Sequence, residues 1–479
     1  MTIDRRQPIP IYFQLKTHLL EQILGGGYGS QGRLPTEHEL CEEFGVSRTP
    51  VTRALSELAD EGVIIRHRRR GSFVNPHWLT QRPPGPELRV LVPDGPWETM
   101  IRRATPEGIS LSVASVPLDR LLGTVRRAVG EGRAPDIALV DSVWVPELAA
   151  AGSLWPLEEL DPEWFSSDYL SDFMEPLAAV NCHQGQSHAV QAEADVAGLW
   201  VRRDHLLRVG AAAPTTWAEL EEVAVAIAAT EAGPRHPLVF PGGSRGGETT
   251  TYCLLALLAS NGVSVIEDET ITLDNGRAVA ALRLLRRLRD AGVVSPDVVS
   301  YEWDRPIRLI ATGEASMSLG GSYEGRTLAT LTDTPLSRLT EEFLFLPMPA
   351  GPEGRTASLA GGMAYAIFRQ AHQPKEAMRL LEHLLARDAL VDMARDTGQI
   401  PPRRSAAAAV GSEIPFLAET TAMLGHAVVR PGIPGHARVS RQLQAMLEGV
   451  LTGRFGPAAA VERTAELIAA ITGFEVSQA

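Results

Sequence analysis

Apolar residues recur along this chain in two rhythms. From Pro10 to Leu24, residues Ile11, Leu15, Leu19, Leu20 and Ile23 stand at helical spacing, and Gly25-Gly26-Gly27 closes the helix they predict. From Leu34 the chain reads LPTEHELCEEFGVSRTPVTRALSELADEGVI. Thr36 can cap a short helix carrying Leu40 and Phe44, Gly45 supplies a turn, and Ser47 caps a second helix with Val51, Ala54, Leu55 and Leu58 inward. Val63-Ile64-Ile65 and Ser72-Phe73-Val74 flank a basic tip, His67-Arg68-Arg69-Arg70-Gly71, and predict a β-hairpin. Further on, the apolar runs Leu88 to Val92, Ile137 to Val140, Gly198 to Val201, Ser316 to Leu319 and Ala364 to Phe368 read as strands. They alternate with helical stretches at Leu118 to Val129, Trp217 to Ala229, Ala278 to Ala291 and Pro374 to Ala386. Strands alternating with helices predict an α/β architecture.

A chain of 479 residues exceeds what one hydrophobic core serves, so more than one folding unit is expected. The stretch PHWLTQRPPGP, Pro76 to Pro86, is the clearest linker. It divides a head at 1–75 from a body at 87–479, with 76–86 between them. Charge divides at the same place. Residues 1–80 hold ten basic and nine acidic side chains, a net +1, while the whole chain carries −13, which leaves −14 for the remainder. An acidic body repels phosphate, so nucleic-acid contact is confined to the head, where arginines cluster late. The mean hydropathy of −0.03 and the lack of a long uncharged apolar run predict no membrane span. Met1 to Pro10 has no apolar signal core, which predicts a cytoplasmic protein.

Two short helices about a glycine turn can lay the second helix in a DNA major groove. Ser47, Arg48, Thr49, Thr52 and Arg53 would then face base edges, and the basic hairpin tip would reach phosphates or a neighbouring groove. Arg53 has a structural alternative in a salt bridge with Glu57 one turn on. PIYFQLKTHLLEQI, RLPTEHELCEEFGVSRTPVTRAL, ADEGVI and RRRGSFV, in that order between Pro10 and Val74, resemble the GntR family of bacterial regulators. The resemblance implies a winged helix-turn-helix on double-stranded operator DNA. It assigns Arg33 and Thr36 to phosphates, Ser47 to Thr49 to base reading, and Arg69, Arg70 and Gly71 to the minor groove. Two departures stand out: the family commonly has Arg where Thr52 stands, with Arg53 following here, and Arg69 replaces the usual first glycine of the tip. Base preference is therefore not transferable.

The body lacks the marks of the enzyme classes that could fill it. A pyridoxal-phosphate domain needs a Schiff-base lysine, and the only lysines are Lys16 and Lys375, the latter at the start of a solvated amphipathic helix. PGGSRGGETT, Pro241 to Thr250, has no G-K-[ST] and reads as a loop into a helix. Its Gly242-Gly243-Ser244-Arg245-Gly246 matches G-x-S-x-G, but Gly246-Gly247-Glu248 delays the helix that a nucleophile elbow requires. Cys41, Cys182 and Cys253 show no metal or disulfide spacing. No cofactor and no metal are expected.

GRAPDIALVDSVWVPELAAAGSLWPLEEL (132–160), AVQAEADVAGLWVRRDHL (189–206), PTTWAEL (214–220), ATGEASMSLGGSYEG (311–325), LAGGMAYAIF (359–368), TGQIPPRRS (397–405) and VRPGIPGHARVSRQLQAMLEGVLTG (429–453) together resemble the extracellular solute-binding proteins of carbohydrate importers. The resemblance implies a type II periplasmic-binding-protein-like fold, two α/β lobes enclosing a small-molecule ligand. Sugar sites combine aromatic faces with carboxylates and amides. The candidates are Trp97, Asp141, Trp144, Glu193, Asp195, Trp303, Tyr323, Gly361, Gly362 and Arg404, with Asp195 foremost because the family often places a ligand-binding aspartate there. Core packing is the alternative for Trp144, Trp200 and Trp303, and a turn for Gly361-Gly362. The expected function is a homodimeric transcription regulator whose operator binding follows a sugar or oligosaccharide effector. A glycoside-active enzyme using Glu193 and Asp195, and a DNA-bound scaffold without ligand, are the alternatives.

Overall fold

The structure, a computed structural model, describes residues 11–24, 27–28, 32–60, 62–67, 70–76, 78, 87–231, 233–273, 275–430, 432–433 and 435–477. Arg69 of the hairpin tip and most of the 76–86 linker lie outside the described residues. The chain divides into two compact units: Met1–Val140 with Gly152–Asp161 and Tyr365–Leu384, and Asp141–Ala151 with Pro162–Ala364 and Leu385–Ala479.

The first unit begins with three helices, α1 (Ile11–Leu24), α2 (Glu37–Phe44) and α3 (Arg48–Asp60). Thr36 and Glu39 form a reciprocal capping box at the start of α2, the Thr36 amide donating to Glu39 Oε2 at 2.7 Å and the Glu39 amide to Thr36 Oγ1 at 3.3 Å. Gly45 ends α2 in the left-handed region, φ 62°, which a side chain would resist. Leu15, Leu19, Leu40, Val51, Ala54, Leu55 and Leu58 are buried, so the helical stripe becomes the core of the head. Strands β1 (Ile64–His67) and β2 (Gly71–Val74) pair antiparallel, Ile64 opposite Val74 and His67 opposite Gly71, which makes the wing.

After the linker, β3 (Glu87–Pro93) pairs in parallel with β4 (Ser110–Val116) and β5 (Ile137–Asp141), and helices pack between them in sequence. Parallel neighbours need crossover connections, and the helices Trp97–Ala104 and Leu118–Gly130 provide them. Arg89 on β3 is buried against Asp136, whose carboxylate also receives the His372 amide, so this buried charge is paired.

A mixed sheet centres the second unit. Its middle strand, Asp195–Arg202, is buried almost throughout and pairs antiparallel with Met317–Gly321, Phe343–Leu346 and Leu359–Gly361. Leu238–Val239 extends one edge and Val428–Val429 the other. Gly198 allows the close approach of Phe343–Leu346, since a Cβ there would come 2.3 Å from the Leu346 carbonyl oxygen. Trp200 is fully buried between Phe345 and Phe416 and donates its indole hydrogen to the Gly321 carbonyl at 3.0 Å, so it is a core residue. The helix after the Pro241–Thr250 stretch begins inside it, at Glu248, and runs to Ala259.

Candidate functional site

On the head, Arg33, Thr36, Ser47, Arg48, Thr49, Arg53 and Arg70 are exposed, and Thr52 and Gly71 are partly so. The first turn of α3 thus presents Ser47, Arg48, Thr49 and Thr52 outward, as base reading requires. Glu37, which the sequence did not single out, gathers these groups. Its Oε2 accepts from Arg48 Nε at 2.8 Å and Thr52 Oγ1 at 3.3 Å, and its Oε1 from Arg66 Nη2 of the wing at 2.6 Å. Those contacts, Arg48's first, hold the Glu37 carboxyl below its ordinary value. Arg53 takes the structural alternative: it bonds Glu57 at 3.1 Å and lies 3.6 Å over the Tyr12 ring. Each of these α3 side chains has an acidic partner within the head, Arg48 and Thr52 on Glu37 and Arg53 on Glu57.

In the second unit three expected carboxylates, Asp141, Glu193 and Asp195, interact electrostatically around one guanidinium. Asp141 ends β5 and receives Arg430 Nη2 at 2.8 Å on Oδ1. Arg430 also donates to Glu248 Oε1 at 3.3 Å and lies 5.1 Å over the Tyr252 ring. At 5 % side-chain exposure Arg430 would be costly to hold charged alone, but Asp141 and Glu248 outweigh burial and keep its proton tighter than usual. Glu248 stands in the first turn of its helix, where the helix dipole favours an anion. Burial opposes its charge, yet the His436 imidazole at 2.8 Å, Arg430 and the Ser440 hydroxyl at 2.6 Å take it down to about 2.

Glu193 is 1 % exposed, and its Oε1 accepts the Met363 amide at 2.7 Å while Oε2 has no hydrogen-bond partner. Burial and the Asp195 charge push it well above the carboxylate range. Burial likewise pushes Asp195 up to about 6, opposed by a hydrogen bond from Tyr252 and by Arg430. Gly361 faces Asp195 and Tyr252, where a Cβ would come within 2.6 Å of Asp195 Oδ1, and Gly362, at φ 129°, backs onto the Glu193 carbonyl. This glycine pair makes room for the carboxyls.

Trp303 is 49 % exposed, against the core alternative, and its ring centroid stands 6.4 Å from Tyr323, whose hydroxyl meets Thr249 Oγ1 at 3.0 Å. Trp144 is half-buried in the turn after Asp141. Trp97 belongs to the first unit, where it is buried at the start of its helix. Arg404 is drawn elsewhere: its guanidinium bonds the carbonyls of Phe173 and Ser171, and the cation that meets the carboxylates is Arg430. Ser244 sits in a short 3-10 turn and donates to Glu448 at 3.2 Å, and Gly247 separates that turn from the helix. Arg430, Glu248, Tyr252, His436 and Ser440 were missed by sequence reasoning, although Arg430 and His436 lie in the stretch VRPGIPGHARVS already marked as informative. Carboxyls can accept hydroxyl hydrogens and a guanidinium can donate to oxygens, the hydrogen-bonding complement of a polyol.

Comparison with known proteins gives two matches. The family described as bacterial extracellular solute-binding protein matches residues 107–390, and that described as bacterial regulatory proteins, gntR family, matches residues 11–74. A binding protein of Brucella abortus is 22 % identical over 394 residues, covering 79 % of this chain and 92 % of its own. The HTH-type transcriptional repressor NagR of Bacillus subtilis is 44 % identical over 75 residues, 16 % of this chain and 31 % of its own. Among solved structures, an ABC-transporter solute-binding protein of Thermotoga lettingae bound with α-D-tagatose has a TM-score of 0.72 at 22 % identity, covering 81 % of this chain and all of that one. Maltose-bound MalE3 of T. maritima has a TM-score of 0.70 at 24 % identity, covering 80 % and 99 %. These two share the fold.

Proposed function

We propose, for a chain that belongs to the bacterial extracellular solute-binding protein family and carries a gntR-family regulatory head, that it is a transcription regulator switched by a sugar or oligosaccharide effector. The observation that carries this reading is the Asp141, Glu193 and Asp195 cluster around the buried Arg430, in which Asp195 interacts electrostatically with Tyr323, the ring neighbour of the exposed Trp303. A sugar buries its C–H faces on aromatic rings while its hydroxyls donate to carboxylates and accept from guanidinium. The solved relatives bound with tagatose and maltose support a saccharide over other solutes. NagR supports operator DNA as the partner of the head.

On this reading Arg48, Thr49 and Thr52 read bases, Arg33 and Thr36 hold phosphates, Arg70 enters the minor groove, and two heads of a cytoplasmic homodimer occupy half-sites roughly one helical turn, about 34 Å, apart. Effector binding changes operator affinity by favouring one conformation of the body through contacts made only in that conformation. The test is a thermal-shift screen of the full chain over mono- and oligosaccharides, with polyamines as cationic controls, followed by operator titration with each hit. A saccharide that stabilises the chain and changes operator affinity supports the proposal. Stabilisation by polyamines alone, or a saccharide without effect on operator binding, contradicts it.

A further inference from the structure

Tyr252 has one phenolic hydrogen and stands between two acceptors. Its hydroxyl is within hydrogen-bond distance of Asp195 Oδ1 and lies 2.7 Å from the Leu359 carbonyl oxygen. A carbonyl cannot donate, and a phenol donates once. Both contacts are made together only when the Asp195 carboxyl carries a proton, which it gives to the phenol oxygen while the phenol donates to Leu359. With Asp195 ionised, the phenol hydrogen turns to the carboxylate. We infer that Tyr252 is a positioning residue of the effector site, a two-way relay that holds Asp195 as a hydrogen-bond donor in one protonation state and as an oriented acceptor in the other.

Packing fixes the relay in place. Tyr252 is buried on the helix Glu248–Ala259, with Arg430 over its ring, and Gly361 leaves the space in which the carboxyl and the phenol meet. The ionisable groups facing Asp195 are Glu193 on its own segment, Asp141 after β5, Arg430 from the loop after Val428–Val429, and Tyr323 and Glu324 after the strand Met317–Gly321. Burial pushes Glu324 up to about 8, so it keeps a proton where Asp195, near 6, loses its own, and burial with the Asp195 charge pushes Glu193 well above its usual range. Above that point Asp195 is an anionic acceptor for an effector hydroxyl; below it, its one proton is committed to the phenol oxygen and the carboxyl offers an effector only a neutral, weaker acceptor. The site would therefore hold a ligand hydroxyl more tightly above about pH 6 than below it. This rests on the carboxylate cluster being the effector site, but the relay itself can be tested without any effector.

Infrared difference titration of the full chain supplies the test, with the proton as the probe. A protonated-carboxyl band should titrate near pH 6 in the parent protein and be missing in Asp195→Asn. In Tyr252→Phe, which keeps the ring and removes the donor to the carboxylate, the same band should titrate about one pH unit higher. A parent spectrum with no carboxyl titrating between about pH 5 and 7, a band titrating near pH 6 that persists in Asp195→Asn, or an unmoved titration in Tyr252→Phe each overturns the relay. If Tyr252→Phe fails to fold, the parent and Asp195→Asn spectra still decide whether Asp195 holds the proton that the two-acceptor geometry requires. A titrating Asp195 in a protein that no saccharide stabilises would sink the proposed function and leave the relay standing.

Discussion

Replacing Arg430 with Met removes the one guanidinium that joins Asp141 to Glu248 while keeping much of its volume. The pair is almost wholly out of water: Arg430 is 5 % exposed and Asp141 14 %. Loss of one partner from a buried pair leaves an uncompensated charge and costs about 3 to 5 kcal/mol. For a body of this size that should lower the midpoint of thermal unfolding by about 5 to 10 °C at pH 7. The loss must also depend on pH in a definite direction. Glu248 is depressed to about 2 in the folded protein, so its stabilising contribution is full above its ordinary value of 4.5 and is lost as pH falls from there toward 2. Arg430→Met removes part of that depression, so parent and variant should converge over that same window. Circular dichroism melts at pH 7 and at lower pH, with Asp141→Asn and the double variant completing a cycle, give the measurement. A coupling between Arg430 and Asp141 of less than about 1 kcal/mol, or a loss that does not change with pH, would show that the buried ion pair does not stabilise the fold through its charges.

Trp200→Ala should destabilise the second unit by about 3 to 5 kcal/mol through the cavity left between Phe345 and Phe416; a loss under about 1 kcal/mol in urea unfolding would contradict the core assignment. Thr36→Ala removes one side of the capping box and should cost about 1 kcal/mol of head stability, seen as earlier melting of the head and faster amide exchange in α2. Arg48→Ala should weaken operator binding about 5- to 100-fold and blur preference at one position per half-site, whereas an equal loss on every sequence would mark Arg48 as a phosphate contact.

Much of the architecture is legible in local pattern. The five apolar runs read as strands all form strands, because β-branched and aliphatic residues there are buried on both faces of a sheet. Ser110–Val116 escaped notice because it is a partly exposed edge strand whose SLSVASV sequence alternates weakly. At the candidate site, Asp141, Glu193 and Asp195 were recognisable because each lies beside a strand that the pattern locates. Arg430 was not: its partners lie 289 and 182 positions away, and Arg-Pro-Gly reads locally as a turn. Glu248 hid for a related reason, at a helix start that the preceding glycines obscure. Arg404 illustrates the converse, since nothing in the sequence tells a guanidinium that bonds local carbonyls from one that meets a distant carboxylate. Pattern locates elements, and long-range ion pairs are decided only by the fold.

If the body senses a saccharide and the head reads DNA, regulation requires the two to be linked in free energy. Linkage is reciprocal, so operator DNA must change the affinity for the saccharide by the same factor by which the saccharide changes affinity for the operator. Calorimetric titration of the full chain with the saccharide identified by thermal shift, carried out with and without operator duplex, measures this directly. Linkage of typical size predicts dissociation constants that differ by about 5- to 150-fold between the two titrations, with no saccharide binding in Asp195→Ala. Equal dissociation constants with and without operator would contradict it.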